Sequence, residues 1–154
     1  MKKILFVCHG NICRSPMAES VMKDLVEKRG LDEHFYIESA AVSAEELGNP
    51  VYPPAREILR AHGLSCAGKR ARQLTPADYS RFDLIVCMDR SNIQRAGRIL
   101  SGDPEGKLSL LMDWTDRPGN VSDPWYTGDF EAAWRDISEG CRAMLEKLEP
   151  EKAL

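Results

Sequence analysis

Ile4-Leu5-Phe6-Val7-Cys8-His9-Gly10-Asn11-Ile12-Cys13-Arg14-Ser15-Pro16 is the stretch whose reading decides the fold. Its first four residues form an apolar run of the length and composition of a strand covered on both faces. Its end predicts a helix, with Ser15 as N-cap and Pro16 in the first turn. A thiol, Cys8, thus stands where a strand stops, and a turn containing Gly10 and Asn11 leads from it to a helix N-terminus. Backbone N–H groups and the helix dipole converge on such a loop, which favours a bound anion and the thiolate form of a cysteine. Arg14 adds a planar fork able to grip two oxygens of a phosphate or arsenate. The predicted chemistry is nucleophilic attack by sulfur on a captured oxyanion.

The spacing Cys-x5-Arg is weak by itself, and the chain carries its own decoy in Cys66 and Arg72. No apolar strand precedes Cys66 and no serine follows Arg72. Cys66 therefore reads as an ordinary, partly buried thiol, and Lys69, Arg70 and Arg72 as a solvated basic loop.

Outward from the loop, strands and helices alternate. The first strand spans Lys3 to Val7. Ala18, Val21, Met22, Leu25 and Val26 recur at helical spacing on the first helix, with Gly30 as its stop. A second strand is read at Tyr36 to Ala40, and a helix opens at Pro53-Pro54 and runs through Leu59 to Gly63. Thr75 to Asp78 reads as a capped short helix. A third strand covers Asp83 to Cys87; Asp89 caps a helix from Arg90 to Leu100, and Leu108 to Leu111 is a fourth strand. Phe130, Trp134, Ile137, Cys141, Met144 and Leu148 mark a last helix whose aromatics read as core and which ends before Pro150. Such alternation gives an α/β fold with a parallel sheet and right-handed crossovers, in which ligands sit beyond the carboxyl ends of the strands. Cys8 lies at one such end. The connection from Met112 to Gly128 is long enough to expect a functional loop, and it holds Trp114, Trp125, Tyr126 and aspartates including Asp123.

The length of 154 residues predicts one domain, residues 1–154, with its own core. A net charge of −3 argues against a nucleic-acid partner. The run after Lys2-Lys3 stops at His9-Gly10, too short for a signal peptide, and nothing approaches membrane-spanning length. Five cysteines at irregular spacing fit a reducing compartment, so a cytoplasmic location is expected. His9, His34 and His62 are scattered and no Cys-x2-Cys pair occurs, so no metal site is expected.

Splitting phosphate ester hydrolysis through a phosphocysteine requires an activated nucleophile, anion stabilisation and a proton donor. The N–H groups from His9 to Arg14, with the Arg14 fork, can hold the three equatorial oxygens; Ser15 can donate to the thiolate. Asp123 is the predicted donor, stiffened by Pro124, with Trp125 and Tyr126 walling an aromatic leaving group. Asn11 suits a left-handed position whose amide holds the loop's shape.

Taken together these residues resemble the low-molecular-weight protein tyrosine phosphatase family. The resemblance runs from Lys3 to about Lys147. It is carried by Cys8-x5-Arg14-Ser15-Pro16-Met17-Ala18-Glu19, Glu38-Ser39-Ala40, Gly48-Asn49-Pro50, Ala71-Arg72-Gln73, Phe82-Asp83-Leu84-Ile85, Met88-Asp89-Arg90-Ser91-Asn92, Asp123-Pro124-Trp125-Tyr126 and Cys141-Arg142. It implies a four-stranded parallel sheet with helices on both faces and hydrolysis of phosphotyrosine in proteins without a cofactor. Cys8 becomes the nucleophile, Arg14 the phosphate clamp and Asp123 the general acid, while His9, Gly10, Asn11, Ile12, Cys13 and Ser15 line or support the phosphate loop. Ser39 joins the loop network, and Asp89 partners Arg14. Tyrosine-phosphorylated proteins, and behind them a cognate tyrosine kinase, are the implied partners of a protein expected to be monomeric. Cys13 resembles the family's second cysteine, implying a reversible disulfide with Cys8; a packing role is the other reading.

The chain departs from the family where many members carry an aromatic residue on the cleft wall, since Glu45-Glu46 stand there. An acidic wall predicts preference for phosphopeptides with basic flanks. Lys69 stands where some members have a loop-network histidine, and His62 reads instead as a helix-end residue. His9 replaces a commoner small or apolar residue and is expected at the pocket mouth. Three competing readings follow. Arsenate reduction needs further cysteines after Cys87, which Met88 to Arg95 lacks. Arginine-directed members carry threonine where Ile12 stands. A non-catalytic phosphopeptide-binding module has no use for the retained Cys8, Arg14 and Asp123.

Overall fold

Strand parity divides the first apolar run between two cores. In strand β1 (Lys2–Cys8) the side chains of Ile4, Phe6 and Cys8 share one face, and those of Leu5 and Val7 the other. Residues 4 to 7 are all fully buried, as the unbroken apolar run requires. The computed structural model describes residues 1–149. Strands β2 (Phe35–Ala41), β3 (Leu84–Cys87) and β4 (Leu108–Leu110) complete a parallel sheet in the order β2-β1-β3-β4. Helices α1 (Arg14–Lys28), α2 (Pro53–Ala61) and α6 (Phe130–Leu148) pack with the Ile4–Phe6–Cys8 face; α4 (Arg90–Ile99) packs with Leu5 and Val7. Met17, Ala18, Val21, Met22 and Val26 of α1 form the predicted buried stripe, and full burial of each larger side chain contributes about 1.5–3 kcal/mol. Because β1 has β2 on one side and β3 on the other, successive connections diverge at its carboxyl end, the switch point where α/β sheets hold ligands.

Several local expectations needed correction. Cys13, not Ser15, is the N-cap of α1, and it makes no side-chain cap; Ser15 lies within the first turn, where Cys8 and Asn11 engage its hydroxyl. The cap at Thr75 runs in reverse. The short helix α3 (Asp78–Arg81) has an uncapped start, and the fully buried Asp78 carboxylate accepts bonds from the Thr75 N–H (2.8 Å) and from Arg72. Strand β4 stops at Leu110, because Leu111–Trp114 turns into a 3₁₀ helix. The long connection is part-structured, containing that turn and the short helix α5 (Pro124–Thr127). Phe130 and Trp134 pack against the core as half-buried residues, and they stack on Tyr52 and on the exposed ring of His62, at 6.0 and 4.0 Å between centroids. Asp89 caps α4 as expected, in a reciprocal capping box with Asn92. Helix α6 runs to Leu148; Pro150, read as its stop, lies outside the described residues. Gly140 is required by close approach, since a Cβ there would sit 2.5 Å from the Leu111 Cγ.

Candidate active site

The loop from His9 to Cys13 wraps the end of β1, and Asn11 turns it by adopting φ 58°. A left-handed asparagine is tolerated because its side chain is locked in place. The Arg72 backbone N–H, which can only donate, points at Asn11 Oδ1 (3.2 Å). This fixes the amide's orientation, so Nδ2 donates to Ser15 Oγ (2.8 Å) and Ser39 Oγ (2.9 Å). Ser39 spends its own proton on Glu19 (2.5 Å). Ser15, already accepting from Asn11, has its one proton free for Cys8 Sγ, 2.9 Å away. The Asn11 N–H also points at that sulfur, at 3.3 Å. Two donors thus converge on Sγ, a polarity set from a backbone group outside the loop.

Arg14 is 2% exposed and is held by protein acceptors at both Nη atoms, which leaves the rest of its fork for a ligand. Nη1 reaches Asp89 (2.9 Å) and the Val121 carbonyl (2.9 Å), and Nη2 lies 3.4 Å from Asp123. A buried guanidinium held by two carboxylates and a carbonyl cannot swing away, so its fork stays aimed into the cleft. Asp123 caps α5 through the Trp125 N–H (3.0 Å). Its carboxylate therefore has one oxygen tied to a helix and the other facing Arg14.

The cleft, about 130 Å³, is lined by Cys8, His9, Gly10, Ile12, Cys13, Arg14, Glu45, Glu46, Asp123, Trp125 and Tyr126. Asn11, Ser15, Ser39 and Asp89 support it through the bonds just described. The structure therefore brings together the residues that the sequence assigned to the phosphate loop, its supports and the cleft wall, whereas Trp114 of the long connection lies elsewhere. A Cβ at Gly10 would stand 3.3 Å from Glu46 Cγ, so the loop and the Glu46 side chain lie in close contact there. Burial, with the nearby Cys8 and Asp123, pushes the Cys13 thiol up to about 12, so it stays protonated at neutral pH. His9 bridges the rim: Nδ1 accepts from Arg95 (2.8 Å), which leaves Nε2 to donate to Glu45 (3.0 Å). Trp125 leans on Tyr52 with centroids 5.0 Å apart. No cluster of histidine, cysteine and carboxylate side chains among the described residues could hold a metal ion.

Sequence reasoning gave no site role to Glu19, Arg72, Val121, Tyr52 and Arg95, and noted Lys69 only as standing where some members have a loop-network histidine. The basic stretch expected to be a solvated loop is partly built in. Arg72 grips Asp78 at 3.0 and 3.2 Å and Glu38 at 3.3 Å, while Lys69 donates to the Ser39 carbonyl at 2.9 Å. Burial lowers the Lys69 amine despite the nearby Glu19. Asn11 was the available signal, since a buried amide in a left-handed turn needs an outside donor for its oxygen. Cys66 is the half-buried ordinary thiol expected, raised by burial.

A thiol under two donors, a clamped guanidinium and a facing carboxylic acid at a switch point define a cysteine-dependent phosphoric monoester hydrolase. Residues 3–154 match the family model described as low molecular weight phosphotyrosine protein phosphatase, and the chain belongs to that family. It is 38% identical over 156 residues, all of both chains, to the low molecular weight protein-tyrosine-phosphatase YfkJ of Bacillus subtilis. It is 40% identical over 154 residues, 96% of each chain, to a low molecular weight phosphotyrosine protein phosphatase of Sus scrofa. The crystal structure of YfkJ superposes with a TM-score of 0.94 at 38% identity, covering 99% of this chain and 98% of the other. A Drosophila arginine phosphatase also superposes, with a TM-score of 0.85 at 32% identity over 99% of this chain and 100% of the other. No helix among the described residues is long and apolar enough to cross a membrane.

Proposed function

We propose that this protein removes phosphate from phosphotyrosine in proteins by two in-line transfers at Cys8. The sulfur, as thiolate, attacks phosphorus; the S–P bond forms as the P–O bond to the phenol breaks. Asp123, protonated, gives its proton to the departing phenol oxygen. The loop N–H groups and Arg14 hold the equatorial oxygens in both transition states, removing the need for a metal ion. Asp123 then accepts a proton from water as that water attacks phosphorus, and the S–P bond breaks to release phosphate and the thiolate. Ser15 stabilises the sulfur as it leaves. The observation that carries this reading is the fixed bond polarity from Arg72 through Asn11 and Ser15, which leaves a proton for Cys8.

Ile12 supports phosphotyrosine over phosphoarginine. It is 8% exposed, clusters with Cys13 and Ala71 and has Tyr52 beside it, adding no hydroxyl to the loop. Glu45 and Glu46 make the rim acidic, so basic residues flanking the phosphotyrosine are preferred. A reversible Cys8–Cys13 disulfide, formed when a peroxide-generated Cys8 sulfenic acid condenses with the Cys13 thiol and loses water, is the proposed redox protection. The protein acts as a cytoplasmic monomer opposing a tyrosine kinase. The test is turnover of phosphotyrosine, phosphoarginine and p-nitrophenyl phosphate by wild type and Cys8→Ser. Phosphotyrosine should be hydrolysed much faster than phosphoarginine, with no turnover by Cys8→Ser. Activity surviving in Cys8→Ser would overturn the mechanism, and faster phosphoarginine hydrolysis the substrate.

A further inference from the structure

A larger cavity, about 500 Å³, lies away from the cleft between α2 and residues 64–70. Val51 and Leu64 are among its apolar lining, and four cations surround it: Arg56 and Arg60, one turn apart on α2, with Lys69 and Arg70. In a chain of net charge −3 this is a concentration of one sign. Among the described residues, Arg56 and Arg60 have no carboxylate within ion-pair distance, and Arg70 reaches only the Gly48 carbonyl, at 3.5 Å. Lys69 has the sole carboxylate of the group, Glu19 at 3.5 Å. Like charges one helical turn apart repel by a few tenths of a kcal/mol, and the fold gains no ion pair from placing these arginines here.

We propose that this hollow is a second anion site, taking a small molecule that carries two or more phosphate groups. One phosphate would satisfy one or two of the cations; four of them around such a volume match a chain of charges. The apolar lining leaves room for an organic body beside the phosphates. Arginine suits such a ligand because its fork bonds two phosphate oxygens at once.

The site is wired to the cleft. Lys69 donates to the Ser39 carbonyl, and the Ser39 hydroxyl sits in the chain Glu19, Ser39, Asn11, Ser15, Cys8. Arg70 is two residues before Arg72, whose N–H sets the Asn11 amide. A polyphosphate drawing Lys69 toward it removes a support beneath Ser39 and alters turnover. Binding itself is independent of the phosphatase reading, whereas this effect on turnover rests on it.

Calorimetric titration with vanadate, then with tripolyphosphate or ATP in the presence of saturating vanadate, separates the two sites. Vanadate alone reports the catalytic loop, so a failure of the phosphatase reading shows there. Wild type should still bind one tripolyphosphate when vanadate is present, and Arg56→Ala/Arg60→Ala should weaken that binding at least about tenfold while melting at the wild-type temperature. Tighter binding of ATP than of tripolyphosphate would assign the apolar lining to an organic body; equal binding assigns the site to the phosphates alone. In hydrolysis of p-nitrophenyl phosphate, tripolyphosphate should change kcat of wild type and not of the double variant. Equal tripolyphosphate affinity in the two proteins, whether or not vanadate binds, overturns the site; inhibition that is purely competitive in both overturns the coupling.

Discussion

On one side of the cleft Asn11, Arg14, Ser15 and Ser39 are at most 2% exposed, and the Asn11 amide bonds through both its oxygen and its nitrogen. On the other side Trp125 and Tyr126 are 54% and 85% exposed, and Asp123 is held by one backbone cap and one 3.4 Å contact. The proposed mechanism gives the two sides different jobs that account for the difference. Charge developing on a phosphoryl group is stabilised most by dipoles that need not reorganise, which demands a saturated and buried frame. Proton donation to a leaving group requires a wall that opens to different phenols and releases them. The buried side should therefore set the rate for all substrates, and the open side should discriminate among them.

The largest effect should come from breaking the buried side. Arg14→Lys keeps the charge but loses the fork that reaches Asp89, Val121 and the substrate at once. We expect kcat to fall by about 10³ on every substrate, with the protein still folded. A drop confined to one leaving group would contradict the division of roles. Asp123→Ala breaks the open side, and its cost should depend on the leaving group. A phenol that needs protonation should lose about 10²-fold or more, and p-nitrophenol, a good leaving group, much less. A uniform loss across a series of aryl phosphates would show that Asp123 acts by position alone.

A smaller and slower-reading effect concerns the scaffold behind Asn11. Burial alone would raise the Asp78 carboxyl, but the bonds from Arg72 and Thr75 prevail and hold it below the ordinary 3.8. A folded-state value below the unfolded one contributes stability above that value and loses it as pH falls through the folded one. Asp78→Asn should thus cost about 2–3 kcal/mol at neutral pH and flatten the acid limb of stability below about pH 4. Because Arg72 holds Asn11, kcat should fall with it; denaturant melts across pH and the pH–rate profile read both. Unchanged melts would deny Asp78 its stabilising role, and lowered melts with unchanged kcat would detach the Arg72 side chain from the loop.

The same contrast explains what was legible in the sequence. Ile4 to Val7, Cys8 and Arg14 announce themselves because strand, turn and helix signals meet within a dozen residues. Asp123 was legible as a proline-stiffened carboxylate in a long aromatic connection. Arg72 and Lys69 were not. Their partners, Asp78, Glu38, Asn11 and Ser39, are brought in by strands and turns up to 61 residues away, so local composition reads them as solvated charge. Ser15 lies against the thiol as read, but not as the helix cap: a serine before proline reads as a cap until a thiol competes for its hydroxyl. Tyr52 was missed because its partners Trp125 and Phe130 lie far along the chain.

The smallest effect belongs to the rim, where solvent screens charge. Glu45 is shared with His9 and Glu46 with Asn49 (2.6 Å), and both line the cleft. Neither bond removes the charge, so a basic residue beside phosphotyrosine meets two carboxylates on its way in. Glu45→Gln/Glu46→Gln should lower kcat/KM for basic-flanked phosphopeptides by about threefold and raise it slightly for acidic-flanked ones. The change should shrink at high salt, with kcat on p-nitrophenyl phosphate little altered. Because Gly10 abuts Glu46, the Gln variant is the right probe: it keeps the shape against the loop and removes only the charge. Equal kcat/KM for both peptide classes in wild type would leave the open side discriminating by its aromatics alone.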